Sequence, residues 1–127
     1  MAFWIYMFFF CLMIPAIMTF FGKKFMTAAP KDINSSYGYR TNLSTKNRDT
    51  WEFAHKTAGK LWFVVGLILL APSAIVMLFL FGHEIKFVGF WGVRLVFVQL
   101  AFLLGSIIPV EVSLRRVFNK DGSRKVK

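Results

Sequence analysis

Three long apolar runs, separated by segments of very different polarity, set the pattern of this chain. Residues 2–22 carry no charge and stop at Lys23-Lys24, residues 61–82 are again uncharged, and residues 87–110 carry one charge, Arg94. Each run reaches the ~20 residues that a helix needs to cross a hydrocarbon core of about 30 Å. The pattern predicts an all-α integral membrane protein: three transmembrane helices forming one membrane domain. Only His83, Glu84, Ile85 and Lys86 separate the second and third runs, so these two are expected to form a tight antiparallel hairpin. A polar loop, 23–60, joins the first two, and a polar tail, 111–127, follows the third.

Within the loop the periodicity changes. Pro30 biases the residue before it towards an extended conformation and ends any helix continuing from the first span. Asn34-Ser-Ser-Tyr37-Gly38-Tyr39 reads as a turn, with Gly38 free to take positive φ. A helix is expected to start near Ser44 or Thr45, either of which can cap it. At four-residue steps Asn47, Trp51, His55, Gly59 and Phe63 then fall on one stripe. Glu52, Lys56 and Lys60 fall on a second, the acid correctly N-terminal to the bases. The segment reads as a cytoplasmic amphipathic helix lying near the headgroups and running into the second span, with Trp51 in the interfacial aromatic belt.

Composition reinforces this picture. Hydrophobic residues make up 57% of the 127, Phe alone supplies 16, and only 17% are charged; the mean hydropathy is +0.57. A soluble domain this small has too much surface for its volume to leave so little of it polar. A single cysteine, Cys11, excludes an intramolecular disulfide and a Cys-rich metal site. The two histidines, His55 and His83, are expected on opposite membrane faces, so no histidine metal centre is anticipated. No paired carboxylates, activated nucleophile or phosphate-cradling glycine loop stands out. The expectation is a protein that is not an enzyme and needs no cofactor.

The net charge of +10 could suggest nucleic acid, but its distribution points elsewhere. Eight Lys/Arg lie in residues 23–60 and six in the tail, two segments on the same side of a three-span protein. The positive-inside rule makes that side cytoplasmic and leaves the N-terminus outside. No positive segment precedes the first run, which therefore reads as an anchored helix and not a secretory signal. The basic residues are expected to fix topology and touch anionic headgroups of the bilayer, with no nucleic-acid partner.

Two polar groups fall inside the third run. Arg94 sits roughly 10 Å below its outer end, where it either snorkels to the headgroups or serves an internal site. Gln99 lies nearer the midplane and should find an internal partner. Pro72, which lacks an N–H, frees the carbonyl of Ile68, and Gln99 is expected to reach it, with Arg94 towards Ser73 or the first helix. Pro15 similarly frees the carbonyl of Cys11.

Asn34, Gly38-Tyr39-Arg40-Thr41, Asn47 and Trp51 are crowded into eighteen residues. Arg40, with Tyr37 and Tyr39 nearby, could stack on a phenol ring and donate to a phosphate or carboxylate. Pro30-Lys31-Asp-Ile-Asn34, Tyr37-Gly-Tyr-Arg-Thr41, Ser44, Lys46-Asn47 and Trp51-x-x-Ala54-x-x-x-x-Gly59-Lys60 resemble the SdpI/YfhL family of small bacterial membrane proteins. The tail, with Pro109, Glu111-x-x-Leu114-x-x-x-Phe118 and Asn119-Lys-Asp-Gly122, is similar to that family too. With the three helices, the resemblance covers nearly the whole chain, as the three-helix module of the family. It implies residence in the bacterial cytoplasmic membrane and immunity to, or sensing of, a membrane-active toxin peptide. It also implies a hydrophobic toxin peptide and a cytoplasmic regulator as partners. The binding residues would be Asn34, Tyr37, Gly38, Tyr39, Arg40, Thr41, Asn47, Trp51 and His55. The rival expectation is a structural or accessory subunit of a larger membrane complex, or a small transporter-like oligomer.

Overall fold

The structure, a computed structural model, describes residues 1–33 and 38–126. Asn34 and Tyr37 of the expected turn lie outside the described residues. Among the described residues four helices follow one another: α1 (Ala2–Thr27), α2 (Arg48–Phe79), α3 (Ile85–Gly105) and α4 (Ile107–Val117). The fold is all-helical, and α1, α2 and the stretch from Ile85 to Val117 are each long and apolar enough to cross a membrane. α2 has 32 residues, about 48 Å at 1.5 Å per residue, so its polar first turns stand clear of a ~30 Å core. The amphipathic segment and the second span are therefore one rod.

That helix starts later than expected. Its N-cap is Asn47, not Ser44 or Thr45: the Asn47 side chain accepts from the Thr50 N–H at 2.9 Å, and the Thr50 hydroxyl accepts from the Asn47 N–H at 3.1 Å. This reciprocal pair satisfies two donors that a helix start leaves unmade. Ser44 instead closes the preceding turn, its hydroxyl accepting from the Thr41 N–H at 2.7 Å. On the solvent stripe, Glu52 pairs with Arg48 at 3.0 Å and not with Lys56. Both side chains are about half exposed, so the pair contributes at most ~0.5 kcal/mol.

The third span breaks at Ser106, between α3 and α4. Pro109 supplies the reason: it has no N–H for the Gly105 carbonyl, and its ring crowds that carbonyl. Ser106 is buried at the break, where its hydroxyl donates to the Leu103 carbonyl and accepts from Trp62 Nε1 at 2.9 Å. This contact stitches α2 to the α3–α4 junction.

α1 packs chiefly along α2 and secondarily on α3, and α2 and α3 touch each other least. The turn between them is short, yet they pack against each other less closely than the sequence suggests, each lying more against α1. Glycine makes the main crossing possible. A Cβ on Gly59 would lie 2.7 Å from the Gly22 carbonyl oxygen, and one on Gly22 would lie 2.8 Å from that of Gly59. Backbones this close gain van der Waals contact where lipid offers no hydrophobic drive between helices. On the α3 side Met7 and Cys11 pack with Val88 and Val96, while on the α2 side Trp4 Nε1 donates to the Met77 carbonyl at 2.8 Å.

Candidate functional site

The stripe Trp51, His55 and Gly59 faces inward, against α1. Trp51 is fully buried and donates through Nε1 to the Pro30 carbonyl at 2.9 Å. It is thus a clamp on the loop entering from α1 and not an interfacial-belt residue. The reason is local: Pro30 ends the chain's extension of α1, and its carbonyl, having no helical donor, takes the indole N–H. His55, also fully buried, sits between Trp51 and Phe25, with ring centroids 4.3 and 4.9 Å away. Its Nε2 accepts from the Tyr39 N–H at 2.9 Å, which leaves Nδ1 as the protonated nitrogen, donating to the Trp51 carbonyl at 2.8 Å. Both ring nitrogens are used by a neutral imidazole. Desolvation holds this histidine below its usual value of 6.5, outweighing the Trp51 carbonyl, which raises it.

Gly38 is where the loop meets that ring. Its φ is +105°, and a Cβ there would lie 2.6 Å from His55 Nε2. Glycine is required twice over, by dihedral and by space. The next residue, Tyr39, is buried and its hydroxyl donates to Glu111 on α4 at 2.9 Å. Burial, then the adjacent carboxylate, hold this phenol far above its ordinary range and therefore protonated. Arg40 is exposed beside it, and Thr41 opens the turn that Ser44 closes.

The tail completes the assembly. Asn119–Ser123 folds back so that Phe118 and Arg124 pair as a short antiparallel bridge. Asn47 Nδ2 donates to the Gly122 carbonyl at 2.8 Å, and Arg124 forks onto Asp49 at 2.7 and 2.8 Å. Asn47 thus does two jobs, capping α2 and holding the tail. The expected site residues Gly38, Tyr39, Asn47, Trp51 and His55 are brought together, but as a hydrogen-bonded joint between loop, α2 and tail. Glu111, Gly122 and Arg124 belong to the same joint. Their link to residues some seventy positions earlier leaves no spacing signal in the sequence.

Inside the membrane the proline logic holds with a different proline. Gln99 is fully buried and donates through Nε2 to the Cys11 carbonyl at 2.7 Å and to Ser73 Oγ at 2.8 Å. The freed carbonyl it reaches is therefore the one left by Pro15 on α1, not the Ile68 carbonyl left by Pro72. The one amide thus ties α3 to α1 and to α2 at once. Gln99 Oε1 is buried without a hydrogen-bond partner among the described residues. Arg94 does not face Ser73, which Gln99 occupies. It is exposed, lies over the Phe90 ring at 3.3 Å and donates to the Phe90 carbonyl at 3.2 Å, one turn nearer the α3 N-terminus. The side chain thus runs back along α3 towards its N-terminal end.

A groove of about 370 Å³ opens between α2 and α3, lined by Leu61, Val65, Ala101, Phe102, Gly105 and Ser106. It is almost wholly apolar and lies towards the end of the spans that carries the loop and tail.

The SdpI/YfhL protein family model matches residues 31–110, from the loop through the second and third spans. No curated protein and no solved structure matches the chain.

Proposed function

The chain belongs to the SdpI/YfhL protein family, and from that premise we propose that it is a non-enzymatic membrane protein conferring immunity to, or sensing, a membrane-active toxin peptide. The reading places it in the bacterial cytoplasmic membrane, with the N-terminus outside and loop and tail in the cytoplasm, where fourteen of its sixteen Lys/Arg would lie. The observation that carries it is the lateral groove between α2 and α3. Leu61, Val65, Ala101 and Phe102 line it with hydrocarbon, and Gly105 leaves its floor open. A hydrophobic peptide helix could lay its apolar face there without first leaving the bilayer. The joint around His55 would hold the cytoplasmic ends of α1, α2 and α4 in one geometry while the groove is occupied.

Filling the groove tests this. A Cβ at Gly105 meets no atom within 4 Å, so Gly105→Leu and Ala101→Leu should insert and accumulate normally. Cells expressing each variant are challenged with a membrane-active peptide against which the wild type protects. Loss of protection at unchanged membrane abundance supports the reading; full protection from both variants sinks the groove as the binding surface. Stoichiometric capture of another membrane subunit, with no change in peptide sensitivity, would favour an accessory-subunit role instead.

A further inference from the structure

We propose that the cleft between the 42–46 turn, α4 and the folded-back tail is a binding site for the headgroup of an anionic phospholipid. The cleft encloses about 700 Å³, and four cations ring it: Lys46 from the turn, Arg115 from α4, and Lys120 and Lys125 from the tail. Leu43 and Phe118 supply an apolar wall. None of the nearby acids forms an ion pair with these cations. Asp49 holds Arg124, Glu52 holds Arg48, Asp121 accepts from Ser123, and Glu111, which borders the cleft, accepts from Tyr39. Among the described residues no ion pair involves Lys46, Arg115, Lys120 or Lys125. The cleft thus carries four positive charges against the single carboxylate of Glu111.

Position selects a lipid over a soluble anion. Ile108, Val112 and Arg115 are spaced by four and three residues, so they share one face of α4. Ile108 and Val112 are exposed, at 68% and 44%, and Arg115 follows Val112 by ~4.5 Å along the axis. An acyl chain lying on Ile108 and Val112 would bring its phosphate to the level of Arg115, where the guanidinium can fork two phosphate oxygens. Lys46, Lys120 and Lys125 would then surround the remaining negative charge.

The full chain, purified in mild detergent, is titrated with phosphatidylglycerol, phosphatidylcholine and inorganic phosphate, and bound species are counted by native mass spectrometry. Phosphatidylglycerol should be retained in preference to phosphatidylcholine. Arg115→Gln and Lys120→Gln should each weaken it about fivefold, the effect of one cation at an anionic headgroup surface. Lys23→Gln and Lys60→Gln, which remove the same charge outside the cleft, should leave retention unchanged. Val112→Gln should weaken phosphatidylglycerol but not phosphate. Equal losses in the cleft and control variants would overturn the proposal in favour of diffuse attraction. So would phosphate binding as tightly as the lipid, or an acidic peptide displacing the lipid from the cleft.

Discussion

The side-chain amide of Gln99 on α3 donates at 2.7 Å to the Cys11 carbonyl on α1, the carbonyl that Pro15 leaves without its helical donor. A defect in one span is thus answered by a polar side chain of another. In hydrocarbon no water can take that role, so the bond ties helix geometry to helix association.

Gln99→Leu should destabilise the protein by about 0.6–1.7 kcal/mol, the range for interhelical hydrogen bonds in membranes. In Pro15→Ala the N–H of residue 15 can again donate to the Cys11 carbonyl, and the cost of Gln99→Leu should shrink. Thermal unfolding in detergent of the two single variants and the double variant measures this coupling. Strict additivity would show that the Cys11 carbonyl is not what Gln99 serves.

His55 makes stability depend on pH. Its folded-state pKa is depressed, so the unfolded chain binds the proton more readily, and folding stability falls as pH drops below 6.5 towards the folded value. Protonation would also remove the acceptor of the Tyr39 N–H. Melting curves from pH 8 to pH 5 should show this loss in the wild type, and His55→Gln should show less of it. His55→Ala should cost about 1–3 kcal/mol at pH 8, the penalty for an orphaned buried N–H.

Trp51→Ala should be among the most damaging substitutions, at about 3–5 kcal/mol for an emptied aromatic site. Trp51→Phe keeps most of the packing but leaves the Pro30 carbonyl only its exposed Arg48 donor, and should fall between. Equal stability of Trp51→Ala and wild type in a detergent melt would contradict the buried placement.

Asn47→Asp separates the two roles of that residue. The carboxylate can still cap the Thr50 N–H, but it cannot donate to Gly122. The helix should persist in circular dichroism while the tail becomes more susceptible to limited proteolysis. Asn47→Ala should lose both functions, with about 1 kcal/mol attributable to the cap.

Arg94→Leu removes an exposed charge whose bonded partner is a carbonyl of its own helix, Phe90. Membrane abundance and melting temperature should be unchanged or higher. A marked drop in either would mean that Arg94 carries a contact that this geometry does not include.

Long apolar runs with at most one charge were sufficient to read three spans from the sequence, because the bilayer imposes its thickness locally. The positive φ of Gly38 and the shared stripe of Trp51, His55 and Gly59 were legible for a similar reason: both are set by a few adjacent residues. What the sequence could not assign was the partner of each polar group. Trp51 reads as an interfacial anchor until the Pro30 carbonyl is placed beside it. Gln99 had two proline-freed carbonyls to choose from, and the packing of α3 on α1 brings it to that of Cys11. The joint of Tyr39 with Glu111 and of Asn47 with Gly122 joins residues 72 and 75 positions apart. A hydrogen bond depends on distance in space, and periodicity along a chain carries no information about which distant donor will arrive there.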